Sequence, residues 1–439
     1  MAIGILGGAA RAETLTDTLI SAYQNSNLLE QNRAVLRAAD EDVAQAVATL
    51  RPVINFVAQA THVEAQGAST DAAALSLTAT LSLYEGGDNR LAIEAAKEAV
   101  LAARAGLLSL EQDVLLGAVE AHMQMRSALE NVQLSQSNVR LIQEELRAAR
   151  DRFEVGEVTR TDVSIAEAAL AAARSGLVAA QGNLAAAREA FKLAVGRYPG
   201  TMAGTPRTPK LPATLKGARD IGLRGHPDIV AAQHNVTLAE LNVARAKTAR
   251  RPSITAGLDY TVDDNGDDST TLSLKLTQPI YQGGRLISLE RQAVNNREAT
   301  RAGLHQTVRL VDQAVANAWA NLAVARAQIQ ASAEQIRAAQ LAFEGTKEEA
   351  KLGSRTTLDV LDAEQDLLDA RAARIEAEVN QYVAVYSVLA AMGLMTVDHL
   401  QLGIPTYDPE AYYNMVKSAP LSPRGAQLDR VLKSLGKSQ

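Results

Sequence analysis

One segment of the chain carries four aspartates at the spacing of a single helical face. They are separated by three, four and three residues and lie at Asp359, Asp362, Asp366 and Asp369. Residues at these spacings share one side of an α-helix, where like charges destabilise the helix mildly. Rings of carboxylates attract cations in pores, whereas many charged stripes are simply the solvated faces of exposed helices. The stripe therefore predicts either a cation-attracting pore face or a solvated helix surface.

This acidic stripe lies in the second copy of an internal repeat. The run Tyr84–Gly87 recurs as Tyr281–Gly284, and Val155–Val163 recurs as Leu352–Val360, at one constant offset. That offset is far longer than the roughly 20–50 residues of a solenoid unit. The sequence therefore predicts a duplicated half-protein, in which differences between the halves are not required by the fold.

The two copies differ in their charges. The capping-box pattern of Thr159 and Asp162 returns as Thr356 and Asp359, which gives both aspartates a structural role at a helix start. The positions that match the other three stripe aspartates are not acidic in the first copy: Ile165, Ala169 and Ala172. Arg355 is also specific to the second copy. These unmatched residues are the candidates for function.

Composition limits the kind of protein that can carry this stripe. Hydrophobic residues make up 47% of the chain but aromatics only 3%, which favours long helices packed through narrow seams. A net charge of −6 without a basic block argues against nucleic acid. The lack of cysteine excludes disulfides and thiolate chemistry. No metal-ligand spacing, nucleophile motif or phosphate-binding loop occurs, so we expect no enzyme, cofactor or metal site.

Proline spacing indicates very long helices. No proline occurs within 53–198 or 280–404, and proline inside a helix costs about 3 kcal/mol. We predict single helices from Asp88 to about Glu154 and from Asn295 to about Lys351. At 1.5 Å per residue each would extend about 100 Å, which requires coiled-coil packing against other helices.

Other helices and turns complete each half. Gly156 and Gly353 interrupt the long helices, so we predict a helical hairpin in each half with its tip near these glycines. Shorter helices are predicted at Leu15–Leu50 and Ile229–Arg250. No run of 18 apolar residues appears, so no transmembrane helix is expected.

Four segments have the alternating period of β-strands. Apolar and polar residues alternate along Ser253–Asp263 and 271–277, and along 75–83, with a weaker partner at about 53–64. We predict four strands of roughly ten residues in two hairpins. The pattern fits a membrane β-barrel or a half-buried soluble hairpin. Four strands cannot close a barrel in lipid, so a barrel would need two copies with eight strands or three with twelve.

These elements give a domain plan. Residues 1–12 resemble the end of an export signal, or form an ordinary flexible N-terminus. The first repeat spans 13–196 with a β-hairpin at about 53–84, and a proline-rich linker follows at 197–222. The second repeat spans 223–400 with a β-hairpin at about 253–281. The tail, 401–439, is expected to be irregular and partly disordered.

Several of these motifs resemble those of a known family. The chain from about residue 15 to 400 is similar to the TolC family of outer-membrane efflux and secretion channels. The resemblance rests on Gln278–Arg285, Gly353–Ala363 and the helix start at His226–Ile229. It implies a mainly α fold with a small antiparallel β part. The helices would form a coiled-coil helical barrel in the periplasm, and four strands per chain would form a shared 12-stranded membrane β-barrel in outer-membrane lipid.

The resemblance also implies partners and a passive role. Proteins of this family are homotrimers that catalyse nothing. They are the exit duct for an inner-membrane pump, either an ABC ATPase of type I secretion or a proton-driven exporter. A periplasmic adaptor (membrane fusion) protein joins duct and pump. We expect it to engage the hairpin tips at Val155, Gly156, Leu352 and Gly353.

Together, the stripe and the resemblance predict a gate at the second-half tip. Three copies of Asp359 and Asp362 would form carboxylate rings, with Asp366 and Asp369 farther along the same face. Arg355 would bond across to first-half groups, Asp162 or Thr161, and hold the entrance shut. Some relatives carry an aromatic residue where this chain has Ala350, so a gate closed by that ring's hydroxyl is not expected.

Two other functions stay open on the sequence. A non-membrane coiled-coil scaffold with β-hairpin caps would have the same periodicities. Specialised metal export is a further alternative within the channel class, and the lack of methionine or histidine clusters along the helices argues against it.

Overall fold

The computed structural model describes residues 12–65, 67–204, 206 and 208–419. Most of the expected export-signal remnant and the tail beyond 419 therefore lie outside the described residues. The helices and strands in chain order are α1 Leu15–Asn25, α2 Asn27–Ala48, β1 Val53–Ala65, β2 Ala68–Glu85, α3 Asp88–Glu154, α4 Arg160–Val195, α5 Leu215–Gly225, α6 Pro227–Thr248, β3 Ser253–Asp263, β4 Asp268–Thr277, α7 Arg285–Lys351, α8 Thr357–Ala391 and α9 Pro409–Val416.

The two long helices are present, and each has 67 residues. Helix α3 has the predicted bounds. Helix α7 begins at Arg285, ten residues before the predicted start at Asn295. Gly283 and Gly284 precede it with φ angles of +56° and +84°, a conformation that ends the preceding segment. The helix can start directly after this turn, because no breaker lies between the turn and residue 295.

The single helix predicted at Leu15–Leu50 is wrong. Ser26 has an extended backbone (φ −69°, ψ 109°) and separates α1 from α2. Its hydroxyl accepts a hydrogen bond from the Leu29 amide at 3.2 Å, as the first residue of a helix commonly does. Serine thus offers the backbone a local alternative to continuing the helix.

The other predicted bounds of helices differ by smaller amounts. Helix α6 spans Pro227–Thr248 instead of Ile229–Arg250, because proline suits the first turn of a helix. The linker expected at 197–222 contains the start of α5, where the Thr214 hydroxyl accepts from the Gly217 amide at 3.2 Å. The tail, predicted to be irregular, contains α9.

The four strands form one antiparallel sheet in the order β1-β2-β3-β4. The two predicted hairpins are therefore neighbours, joined through β2 and β3, and β1 and β4 are its edges. Strand β2 has 18 residues, longer than the roughly ten predicted, and β4 ends at Thr277. The turn between β3 and β4 is closed by Asp263, whose carboxylate accepts from the amides of Asn265 and Asp267 at 2.9 Å.

The register of the sheet separates apolar from polar side chains. Across the four strands, residues that pair directly share one face of the sheet. One such row joins Phe56, Leu77, Tyr260 and Thr270, and the next joins Ile54, Ala79, Leu258 and Leu272. The alternate rows are polar, for example Asn55, Thr78, Asp259 and Thr271. The sheet thus has one mainly apolar face and one polar face.

The chain divides into two compact units. The first holds α1, α4, α5 and α8, with residues 109–154 of α3 and 310–351 of α7. Its core consists of separate small clusters along the helices, one around Phe191 and Met125, one around Leu146 and Leu170, and one around Phe343 and Val360. Narrow clusters of this kind fit the low aromatic content of the chain.

The second unit holds the sheet, most of α2, α6, α9 and the remaining parts of α3 and α7. Leu36, Val43 and Val100 are its most deeply buried apolar side chains, with Tyr407 and Tyr413 packed against them. In α9, Tyr412 is also buried, and its hydroxyl donates to Glu41 at 2.6 Å. Helix α9 therefore belongs to the core of this unit.

Within the described residues, α4 is long and apolar enough, by length and composition alone, to cross a membrane. No such helix was predicted from the sequence, because the chain has no unbroken apolar run of 18 residues. Alanine nevertheless raises the mean hydropathy of this segment. One helix of this kind is weak evidence. Phe191 and Leu170 of α4 are buried in clusters that also contain α3 residues, so we treat α4 as part of the helical unit.

Candidate functional site

The tips of the two helical hairpins are built in the same way. Gly156 and Gly353 both have φ of +79°, where side chains are disfavoured. After each glycine an amide reaches back to the end of the helix: Glu157 N to Arg152 O at 2.9 Å, and Ser354 N to Glu349 O at 3.0 Å. These bonds satisfy carbonyls that a helix end leaves open. Each long helix thus ends at the predicted glycine.

The next helix of each hairpin starts with the predicted capping box. The Thr159 amide donates to Asp162 Oδ2 at 2.8 Å, and the Asp162 amide donates to Thr159 Oγ1 at 3.3 Å. Thr356 and Asp359 repeat the pair at 2.8 and 3.2 Å. These hydrogen bonds from the threonines lower the pKa of both aspartates. Asp162 and Asp359 are therefore ionised helix caps, whatever else they do.

Two apolar side chains stand exposed at the tips. Val155 is 71% exposed and Leu352 is 85% exposed in the chain. Both precede the tip glycines, whose backbone leaves open space around it. The tip residues predicted to contact an adaptor, Val155, Gly156, Leu352 and Gly353, are thus accessible at the two chain turns.

The acidic stripe lies opposite the buried side of α8. Asp362, Asp366 and Asp369 are exposed, and Asp359 is half-buried. The other side of the helix carries Leu361 and Leu367, which are 8% and 3% exposed. Asp369 accepts a hydrogen bond from Gln365 at 2.8 Å. The four aspartates are therefore held on one accessible face by the packing of the opposite face.

Arg355 has a partner that was not predicted from the sequence. Its Nε lies 3.0 Å from Oε2 of Glu349 at the end of α7, within the same hairpin. This hydrogen bond, together with the charges of Glu349 and Asp359, raises the pKa of the guanidinium. In the single chain Arg355 is thus paired with Glu349 and not with the predicted Asp162 or Thr161.

A buried ionisable group near the tip was also missed. Glu364 of α8 is 3% exposed, and neither of its carboxylate oxygens has a hydrogen-bond partner in the described chain. Nearby, Lys347 of α7 donates to Glu145 Oε1 of α3 at 2.5 Å. Burial first, and then the charge of Glu145, raises the pKa of Glu364 to about 7.

The repeat contained a signal for this group. At the constant offset of the duplication, Glu364 corresponds to Glu167, and Lys347 corresponds to Arg150. Both copies thus carry a basic and an acidic residue at matched positions of the hairpin. Differences between the two copies do not reveal this pair, because both copies carry the same charges at these positions.

Most of the chain matches a known protein family. A model of the family described as "Outer membrane efflux protein" matches residues 19–197 and 221–394. The chain is 36% identical over 426 residues to the outer membrane efflux protein BepC of Brucella suis biovar 1, covering 94% of this chain and 92% of BepC. It is 24% identical over 416 residues to the outer membrane protein TolC of Vibrio cholerae, covering 90% and 94%.

A solved structure shares the fold. The crystal structure of CusC superposes with a TM-score of 0.77 at 19% identity, covering 89% of this chain and 95% of that chain. At this identity the likeness speaks for the fold alone. The mainly helical chain with a four-stranded antiparallel sheet therefore has a counterpart in a known transmembrane channel protein.

Proposed function

The chain belongs to the outer membrane efflux protein family and is an outer-membrane exit channel for efflux or secretion, and we propose that three copies form one channel that closes at the hairpin tips. Transport through it is passive: an inner-membrane pump, ABC or proton-driven, supplies the energy. The substrate is chosen by that pump. The chain itself makes and breaks no bond. Its two repeats, 13–196 and 223–400, supply equivalent hairpins.

The sheet supports the proposal of a shared barrel. Its edges, β1 and β4, cannot face lipid with open backbone groups, so copies must pair edge to edge. The apolar face carries exposed leucines on β4 at positions 272, 274 and 276, which are 82%, 73% and 65% exposed. In the assembly this face would contact lipid and the polar face would line the bore. Three copies would give twelve strands.

The second-half tip supports the proposal of a gate. The acidic stripe of α8 is accessible because the opposite side of that helix is buried. Around a threefold axis, Asp359 and Asp362 would form two carboxylate rings, and Asp366 and Asp369 would extend the acidic face. Such rings favour cations over anions. Arg355 would reach Asp162 or Thr161 of the first-half hairpin after leaving Glu349.

The exposed tips support the proposal of an adaptor contact. Val155 and Leu352 present apolar surface at the turns, and no described side chain covers them. Exposed apolar side chains at the end of a helical hairpin can pack into the grooves of another helical hairpin. We assign Val155, Gly156, Leu352 and Gly353 to the surface that meets a periplasmic adaptor protein.

Ion selectivity in a planar lipid bilayer tests the gate. We expect a small cation-selective conductance from the purified protein and loss of that selectivity in Asp359→Asn/Asp362→Asn. Asp42→Asn, an exposed aspartate on α2, is the matched control and should leave selectivity unchanged. Selectivity that survives the double substitution would move the filter elsewhere. Absence of conductance, with solubility without detergent, would instead favour the coiled-coil scaffold.

A further inference from the structure

A basic and an acidic residue at matched positions of the two halves have different partners. In the first half, Arg150 of α3 donates to Glu167 of α4 at 2.6 Å, and both side chains are about half exposed. In the second half, Lys347 of α7 holds the position of Arg150, and Glu364 of α8 holds that of Glu167. Lys347 nevertheless pairs with Glu145, which lies on α3 of the other hairpin. The second hairpin thus lacks the ion pair that the first one makes.

Because Lys347 pairs with Glu145, Glu364 is buried without a charged partner among the described residues. Its neighbours on α8, Leu361 and Leu367, are buried in two apolar clusters with residues of α3 and α7. Neither carboxylate oxygen has a hydrogen-bond partner within the described chain. A buried carboxylate without a partner is disfavoured in its charged form. The observed packing therefore suits the protonated, neutral form of Glu364.

Other charged groups surround the Lys347–Glu145 pair. From α3, Glu144, Glu145 and Arg152 line a cleft of about 320 Å³, and from α7 Lys347 and Lys351 line its other side. Lys347 is 33% exposed and Glu145 is 10% exposed. Water therefore reaches Lys347, whose charge also acts on Glu364.

We propose that Glu364 is a proton-binding site that locks the second hairpin onto α3, and that Lys347 is its exchangeable partner. While Glu364 holds a proton, Lys347 stays on Glu145 and ties α7 to α3. When Glu364 releases its proton to water, Lys347 leaves Glu145 and pairs with Glu364, as Arg150 pairs with Glu167 in the first half. The ion pair that ties α7 to α3 is then lost. This inference rests on the proposed closure of the channel at the hairpin tips.

The direction of the pH effect follows from the two arrangements. In the packed arrangement burial raises the pKa of Glu364 from 4.5 to about 7. In the exchanged arrangement the neighbouring Lys347 charge favours the ionised form, so the packed state binds more protons. The protonation of Glu364 therefore contributes fully to the stability of the packed state at low pH. This contribution decreases as the pH rises above about 4.5 and is lost by about pH 7. Acid closes the tip and neutral to alkaline pH releases it.

Infrared difference spectra of the full-length protein test the proton site. We expect one component of the protonated-carboxyl carbonyl band to disappear with a midpoint near pH 7, and this component to be absent in Glu364→Gln. Other carboxyl groups keep their own contributions at lower pH, among them Asp40 of α2, whose burial raises its pKa to about 6. Glu167→Gln is the matched control, because that residue is the exposed counterpart of Glu364, and it should keep the component. A component with a midpoint near pH 7 that persists in Glu364→Gln, or a wild type without one, overturns the proposal.

Spin-label distances test the exchange without measuring current. The chain has no cysteine, so cysteines introduced at Val155 and Leu352 place one label at each of the two tips of every copy. We expect the distance distribution to shift as the pH passes about 7 in the wild type, and to stay in its low-pH form in Glu364→Gln. Glu145→Gln removes the competing partner, so it should show the high-pH distribution already at low pH.

The outcomes separate this inference from the proposed function. A distance that does not respond to pH, or a Glu145→Gln variant that behaves as the wild type, overturns the exchange of Lys347 even if the channel conducts. Conversely, absence of any bilayer current would count against the channel proposal while the spectra and distances still decide whether Glu364 binds a proton.

Discussion

Arg355 and Glu349 form an ion pair within the second-half hairpin, with Arg355 Nε 3.0 Å from Glu349 Oε2. Both side chains are about half exposed, so the pair is screened by solvent and easily exchanged. The predicted bond from Arg355 to Asp162 or Thr161 must therefore compete with Glu349. The same competition makes the gate proposal testable at single residues.

We expect Glu349→Gln and Arg355→Ala to change the bilayer conductance in opposite directions. Glu349→Gln frees Arg355 for the first-half hairpin and should lower the conductance, whereas Arg355→Ala removes the closing group and should raise it. The control is Glu348→Gln, because Glu348 is also exposed but pairs with Lys351. Conductance that rises in both variants, or in neither, would contradict a closing role for Arg355.

A second prediction concerns the start of α4. Thr159→Ala removes the hydroxyl that accepts from the Asp162 amide and should destabilise the first turn by about 1 kcal/mol. Amide hydrogen exchange in that turn should then be about fivefold faster, as 1 kcal/mol corresponds to that factor. Ser164→Ala is the control, since its hydroxyl donates only to the Arg160 carbonyl of the same helix. Equal hydrogen-exchange rates in both variants would show that the Thr159 cap does not stabilise the first turn of α4.

Local signals explain why much of the fold could be predicted. Helix α3 has the predicted bounds because a proline-free stretch starts after one glycine turn and ends at Gly156. The strands follow from strict alternation. The single helix predicted at Leu15–Leu50 was wrong because a serine such as Ser26 is compatible both with a continuous helix and with a helix start. Tertiary packing determines which of the two forms. Helix α9 was missed because its buried tyrosines contact residues that are distant in sequence, such as Glu41.

The candidate site was also predicted only where local sequence spacing determines the structure. Capping boxes depend on residues three apart, so Asp162 and Asp359 were placed correctly at helix starts. The partners of Arg355 and Lys347 depend on which helix faces them, and no spacing encodes that. From the sequence, Glu364 would be predicted to be a solvent-exposed residue of a charged helix, because glutamate is a good helix former that is rarely fully buried. Only the packing of α3 against α7 and α8 removes it from water.

A third prediction uses the backbone of the tip. Gly353 has φ of +79°, so Gly353→Ala should destabilise the tip by roughly 1–2 kcal/mol. Gly345→Ala, inside α7 and with open space around the added carbon, should instead stabilise that helix by roughly 0.5–1 kcal/mol. Thermal unfolding of the two variants should shift in opposite directions. A shift of the same sign would mean that tip conformation does not limit stability.

The last prediction concerns acid and His122, which lies on α3 in the first unit. Its ring is 1% exposed, and Nδ1 lies 2.8 Å from the Thr18 hydroxyl of α1. Burial lowers the pKa of His122 from 6.5 to about 4. Because the folded state binds this proton less well than the unfolded chain, its contribution to stability is complete above pH 6.5 and is lost as the pH falls towards 4.

Unfolding between pH 7 and pH 4 tests this contribution. A shift of this size corresponds to about 3 kcal/mol of stability. We expect the melting temperature of the wild type to fall steadily with acid, and that of His122→Gln to start lower and depend less on pH. His305→Gln is the control, since His305 is exposed on α7 and should leave the slope unchanged. A His122→Gln variant as acid-sensitive as the wild type would assign the loss to other groups. Such acid loosening of α1 from α3 would oppose in sign the acid tightening inferred at Glu364, so the two sites must be measured separately, by melting and by tip distances.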